Sequence, residues 1–205
     1  NSFAWHSATD NQLRNTRSRL RSRLCSQPIA GKKSTICLIE FFWIWWYQCF
    51  ITFSKMGIKT MKIVIAGDHT SLELKEILIQ YISSNGYNIS DLGTTTSESV
   101  DYPDYAKLVA LHIQQNPQDF GILICGSGIG MSIAANRYHS VRAALCTNEY
   151  LARLSRQHND SNVLVLGSRV IGIELAKSIF DAWIRSLYEG DRHRRRIEKI
   201  ENLVT

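Results

Sequence analysis

The chain has 205 residues, a hydrophobic share of 44% and a formal net charge of +6, enough length for one full domain plus an appendage. The charge is lopsided. Residues 1–60 hold nine of the 24 lysines and arginines against only Asp10 and Glu40, so the rest of the chain is close to neutral and does not read as a nucleic-acid-binding surface.

The five cysteines, Cys25, Cys37, Cys49, Cys125 and Cys146, are odd in number and widely spaced, with no C-x-x-C pair. That pattern argues against a disulfide framework and a zinc site and suits a reducing, cytoplasmic setting. Arg14–Arg23 is basic and serine-rich, and Ile36–Phe53 is an apolar, aromatic run interrupted by Glu40 and Gln48. A basic flank before an apolar run is a signal-anchor pattern, but this run is barely long enough to span a bilayer and contains an acid. Met56 and Met61 precede the first strand pattern. The expectation is a leader, 1–60, outside the fold, with the native start at Met61 or Met56 and one domain over 61–205.

From Met61 the pattern becomes regular. Lys62–Ala66 predicts a buried strand ending in Gly67-Asp68-His69. Apolar residues at 72, 74, 77, 78, 81 and 82 predict a helix over 71–84, stopped by Asn85-Gly86. Tyr87–Leu92 is a second strand, and Asp101-Tyr-Pro-Asp104 opens a helix that runs to Gln115. Ile122–Ile124 is a third strand, Val141–Cys146 a fourth and Asn162–Leu166 a fifth, with a short helix over 148–157 between the last two. Ile173–Leu187 is a long amphipathic helix and Arg192–Leu203 a final basic one. Strand and helix alternate with no hairpin signal. The predicted class is α/β, a Rossmann-like three-layer sandwich with a five-stranded parallel sheet.

The chemically distinctive stretch follows the third strand: Cys125-Gly-Ser-Gly-Ile-Gly130, then a helix from Met131. Three glycines in five residues bare the backbone N–H groups at a helix start, a nest for an anion with a thiol beside it. The dinucleotide fingerprint G-x-G-x-x-G/A fails, because its last position falls on Met131, and no Lys-Ser/Thr follows to make a nucleotide P-loop. Taken alone, the loop is as compatible with a plain steric turn as with a phosphate or oxyanion site, and a lone cysteine is more often a small core residue. Position decides. Ligands in parallel α/β sheets bind beyond the carboxyl ends of the strands, where Asp68, His69, the 125–130 loop and Arg169 gather.

The motifs Gly67-Asp68-His69, Asp101-Tyr102-Pro103, Ile124–Gly130, Ser155-Arg156-Gln157-His158-Asn159-Asp160, Gly167-Ser168-Arg169 and Tyr188–His193 occur in this order. In these the chain resembles the type B ribose-5-phosphate isomerases over residues 61–203. The resemblance implies interconversion of ribose 5-phosphate and ribulose 5-phosphate, in the pentose phosphate pathway, without metal or cofactor. One branch of that family places its proton-transfer base at the position of Cys125. Another uses a glutamate where this chain has Met131, which cannot accept a proton. The resemblance also implies a ring-opening role for His158, with Asn159 beside it. Sugar contacts fall on Asp68 and on Gly126, Ser127, Gly128, Ile129 and Gly130. Phosphate contacts fall on His69, Arg169, Arg192 and Arg196, some of them reaching across a subunit interface.

Elementary chemistry fits these roles. A thiolate beside bare N–H groups can move a proton between neighbouring carbons, and those groups can hold the developing oxyanion. An imidazole titrates near neutrality, so His158 can exchange a proton with a ring oxygen, although a histidine in a polar loop is usually only solvated. Arg192 and Arg196 are four apart, one turn along a helix, and suit a phosphate dianion, whereas Arg194 and Arg195 read as a solvated face. Asp68 can hold a sugar hydroxyl or cap the helix near Ser71. Tyr102 is a candidate pocket wall, Cys146 core, and His112, His139 and His193 surface or structural residues. No His, Cys and carboxylate set has metal-ligand spacing. The implied partners are a small sugar phosphate and a second copy, in a homodimer or homotetramer with the site at the subunit interface, and neither nucleic acid nor membrane. Three alternatives remain: a six-carbon isomerase acting on allose or galactose 6-phosphate, a non-catalytic sugar-phosphate-binding module, and a membrane-tethered form using Ile36–Phe53.

Overall fold

The computed structural model describes residues 61–203. The expected leader, 1–60, with its apolar run, lies outside the described residues. Among those described, no helix is long and apolar enough to cross a membrane.

Strands β1 (Lys62–Gly67), β2 (Asn88–Asp91), β3 (Phe120–Cys125), β4 (Ala143–Leu145) and β5 (Val163–Gly167) form one sheet in the order β2-β1-β3-β5-β4. Every pair is parallel. The helices are α1 (Leu72–Ser84), α2 (Tyr102–Gln115), α3 (Ile129–Ala135), α4 (Glu149–Asn159), α5 (Ile173–Ile184) and α6 (Arg194–Glu201), with a 3-10 turn at Asp191–His193. Side chains alternate along a strand, and that assigns the faces. Ile63, Ile65, Ile122, Ile124, Leu164 and Leu166 pack on one side with α1, α4 and α5. Val64, Ala66, Leu123, Cys125, Val163 and Val165 pack on the other with α2 and α3. The three-layer, five-stranded parallel architecture expected from the sequence is what forms.

The outer strands are shorter than the sequence pattern predicts. β2 spans four residues and β4 three, because each has a pairing partner on one side only. α4 runs further than expected, so His158 and Asn159 sit in its last turn rather than in a loop. The Arg156 guanidinium holds that turn, donating to Asp160 Oδ1 (2.9 Å) and Ser161 O (2.7 Å) while lying over the Phe120 ring. Arg192 and Arg196 do not share one regular helix: the first is in the 3-10 turn, the second in α6.

Gly121 shows how tightly the site's strand is held. A Cβ there would lie 2.6 Å from Val109 Cγ1 and 3.0 Å from Val163 Cγ2, between α2 and β5. Gly121→Ala is expected to destabilise the domain by about 1–3 kcal/mol through overpacking, read as a lower urea midpoint with unchanged slope.

Candidate active site

The strand order reverses between β1 and β3: from β1 the chain goes to β2 on one side and then to β3 on the other. A crevice opens at such a point beyond the carboxyl ends of the strands. Cys125 ends β3 there, 5% exposed, on the face covered by α2 and α3. Its sulfur accepts a hydrogen bond from Gly128 N–H at 3.1 Å. The thiol therefore faces the glycine bend rather than lying blind in the core. The bend requires its glycine: Gly128 has φ +79°, and a Cβ there would strike Leu145 Cδ1. α3 is only seven residues long, and the polar group set against the sulfur is the Gly128 N–H rather than the end of a long helix. Met131 is fully buried against the same core and offers no base.

The β1 end is pinned to this loop. Asp68 N–H donates to Ile124 O, and Asp68 Oδ1 accepts from Thr70 N (2.9 Å) and Thr70 Oγ1 (2.6 Å). The carboxylate thus closes a local turn. The helix cap considered for it does not form, since Ser71 is the N-cap and its hydroxyl bonds Asp68 O instead. His69 Nδ1 accepts from Val100 N–H at 3.3 Å, which leaves the proton of a neutral ring on Nε2 as a donor. Arg169 N–H donates to Gly126 O at 3.0 Å, and Ser168 N–H to Cys125 O at 2.9 Å. A Cβ on Gly126 would sit 3.6 Å from both Arg169 Cδ and Thr70 Oγ1. Tyr102 covers Gly130 so closely that any Cβ there would strike its ring. Asp68, His69, Gly126–Gly130 and Arg169 are therefore brought to one rim around Cys125. Sequence reasoning missed Thr70, although Asp68-x-Thr70 before a helix is a recognisable side-chain turn.

The remaining predicted residues form a second group. α4 begins after β4 and runs back along the sheet, so its last turn lies near the start of β5, at the opposite edge from Cys125. There the His158 ring stacks on His193, centroids 4.3 Å apart and planes 7° from parallel. Glu189 Oε2 is 3.8 Å from Nε2 of each. Arg192 Nε donates to His193 Nε2, and Arg196 lies close enough to influence that ring. Asn159 lines a cleft of about 310 Å³ with Asn136, Arg142 and Glu201. His193, read as surface or structural, is buried. Burial first, then the charges of His158, Arg192 and Arg196, push its imidazole below the usual 6.5, against the pull of Glu189. The unfolded chain then binds this proton more readily than the folded one. The corresponding stability is present above pH 6.5 and is lost as pH falls through the folded value. The thermal midpoint is expected to drop on acidification below 6.5, and less so in His193→Phe.

His158, Glu189 and His193 bring three ligand-type atoms within 4.8 Å of one another, a grouping that spacing in the sequence could not reveal. The arrangement does not fit a metal centre. A metal must lie in the plane of each imidazole it binds, and two stacked, near-parallel rings share no such point. Cys146 is core, as expected: burial pushes its thiol up to about 11.

A parallel sheet with a thiol and a glycine bend at its switch point defines an α/β domain with its ligand crevice beyond the strand ends. Residues 63–200 match the model of the ribose/galactose isomerase family. The chain is 50% identical over 139 residues to ribose-5-phosphate isomerase B of Escherichia coli, covering 68% of this chain and 93% of that protein. Among solved structures it is similar to a ribose 5-phosphate isomerase from Thermotoga maritima, with 54% identity and a TM-score of 0.68, over 69% of this chain and 98% of that one. The enzyme of Mycoplasma genitalium, solved with bound ribulose-5-phosphate, matches at 43% identity and a TM-score of 0.68, over 70% and 95% of the two chains. This chain belongs to the ribose/galactose isomerase family.

Proposed function

We propose that the protein is an aldose–ketose isomerase that interconverts D-ribose 5-phosphate and D-ribulose 5-phosphate, with Cys125 as the proton-transfer base. The observation that carries this reading is the sulfur of Cys125, held against Gly128 N–H at the switch point of a fold whose relatives are named for that reaction. After the sugar ring opens, the base takes the proton from C2 and returns it to C1. The negative charge that develops on the enediolate oxygens is met by N–H groups of the 126–130 loop, each worth on the order of 3 kcal/mol when well placed. Asp68 holds a sugar hydroxyl, and His69, Arg169, Arg192 and Arg196 bind the phosphate. His158 exchanges the proton with the ring oxygen, and Asn159 supports it.

Arg156, two residues before His158, lies over the Phe120 ring at the start of β3, whereas Cys125 ends that strand, roughly 17 Å further along. That separation supports a site completed by a second copy, whose His158, Asn159, Arg192 and Arg196 face the first copy's loop. Ile129 and Ile133, 55% and 56% exposed on α3 beside that loop, together with Tyr102, Leu108 and Leu111 on α2, give an apolar face to cover. The assembly we propose is a homodimer or a dimer of dimers. Residues 1–60 are proposed to stand outside the isomerase domain, which spans 61–205.

A coupled assay with ribose 5-phosphate beside allose 6-phosphate, both with EDTA present, tests the reading. Preferred turnover of the five-carbon sugar, unaffected by EDTA, is expected. Turnover of allose 6-phosphate alone contradicts the substrate, and loss of activity in EDTA contradicts the mechanism. His158→Asn is expected to slow ribose 5-phosphate about a hundredfold or more, the usual worth of a general acid. It should barely affect a 4-deoxy analogue, which lacks the oxygen that closes the furanose ring. Equal losses on both sugars contradict a ring-opening role.

A further inference from the structure

His158 does not stand alone at the end of α4. Its imidazole lies flat on that of His193, which is only 4% exposed although arginines flank it on both sides. The chain is folded back to make this contact. Glu189 N–H donates to Gln157 O at 3.0 Å, and positive φ at Gly190 (71°) and Asp191 (43°) turns the next residues under the helix end. Arg192 Nε donates to His193 Nε2 at 3.2 Å, so that nitrogen carries a lone pair and the ring's proton is on Nδ1. One buried imidazole thus touches both the group assigned to ring opening and a guanidinium assigned to the phosphate.

We propose that His193 is a positioning residue for the isomerase site, fixing the ring plane of His158 by stacking and the Arg192 side chain through Nε2. This rests on the roles given above to His158 and Arg192. The torsion that spins an imidazole is broad, so a part-exposed His158 needs a flat neighbour to keep one orientation. Arg192 is exposed and its side chain has several rotatable bonds, so an acceptor at its Nε limits where its remaining donors can go. A neutral ring suits this place, where His158, Arg192 and Arg196 bear on His193 from one side of the charge balance and Glu189 from the other. Because His193 touches both groups, the spacing between ring-opening proton and phosphate grip is set by one side chain. Reaction rates fall steeply when such spacings slip.

Two substitutions in the full chain separate its two contacts. His193→Phe keeps a flat plate and loses the acceptor. The KM for ribose 5-phosphate is expected to rise about tenfold, the worth of one hydrogen bond to a charged group, with kcat nearly unchanged. His193→Gln keeps an amide oxygen near the position of Nε2 and loses the plate. Its kcat on ribose 5-phosphate is expected to fall about tenfold to a hundredfold with little change in KM, while the 4-deoxy analogue reacts as before. This opposite split is something a purely structural histidine cannot produce. If both variants lose kcat, KM and thermal midpoint together, or if neither changes, the proposal is overturned. His158→Asn, measured alongside, locates the failure. If it too leaves ribose 5-phosphate turnover intact, the role of His158 is wrong, and the positioning role built on it falls with it.

Discussion

Cys125→Ala is expected to fold, to bind ribose 5-phosphate and to lose about a thousandfold or more in turnover, within the range that a positioned base contributes. The substitution removes little volume from a site packed against Val64, Ala66 and Met131, so the fold should tolerate it. Its structural cost is the acceptor for Gly128 N–H, about 1–2 kcal/mol if no water replaces it. Cys125→Ser separates the two effects. A hydroxyl restores an acceptor near Gly128 but is a far weaker base than a thiolate, so stability should return while turnover does not. A stable Cys125→Ala variant within tenfold of the native rate would remove the cysteine from the chemistry. The comparison is made by steady-state turnover beside urea unfolding.

Trp183→Ala is expected to cost about 3–5 kcal/mol of stability, the largest loss from any one side chain of α5. The indole is fully buried, meets Phe120 edge-on at 5.1 Å and donates from Nε1 to Ser161 Oγ at 2.8 Å. Ser161 Oγ in turn lies 2.9 Å from Ser155 Oγ on α4, and the Arg156 guanidinium sits 5.8 Å from the indole. The residue therefore braces the turn that carries His158. Trp183→Phe retains most of the packing and loses the hydrogen bond, so about 1–2 kcal/mol is expected for it. A urea midpoint for Trp183→Ala near that of the native protein would show that α5 is not the brace.

The central strands were legible because a strand covered on both faces must be apolar throughout. Ile63–Ala66, Ile122–Ile124 and Val163–Leu166 leave no other reading. The rim residues were legible for a related reason, since topology sends every strand end of a parallel sheet to one edge. The edge strands were harder, because β2 (Asn88–Asp91) and β4 (Ala143–Leu145) lack the second neighbour that extends a ladder. The polar run His158–Asp160 reads as a loop by composition. Its helical turn depends on Arg156 reaching Phe120 and Ser161, contacts that do not exist until the fold does. His193 among arginines reads as surface or structural, and for the same reason its burial does not show in the sequence. Its partner, His158, is 35 positions away, and only the turn at Gly190–Asp191 joins them.

Transfer of the C2 proton can be followed directly. Ribose 5-phosphate deuterated at C2 is incubated with the native protein and with Cys125→Ala, and the label is located by mass spectrometry. With the native protein the deuterium is expected to leave C2 for C1 or solvent at the rate of turnover, and with the variant it is expected to stay. Loss of the label at an undiminished rate in Cys125→Ala would contradict the assignment of that sulfur as the base.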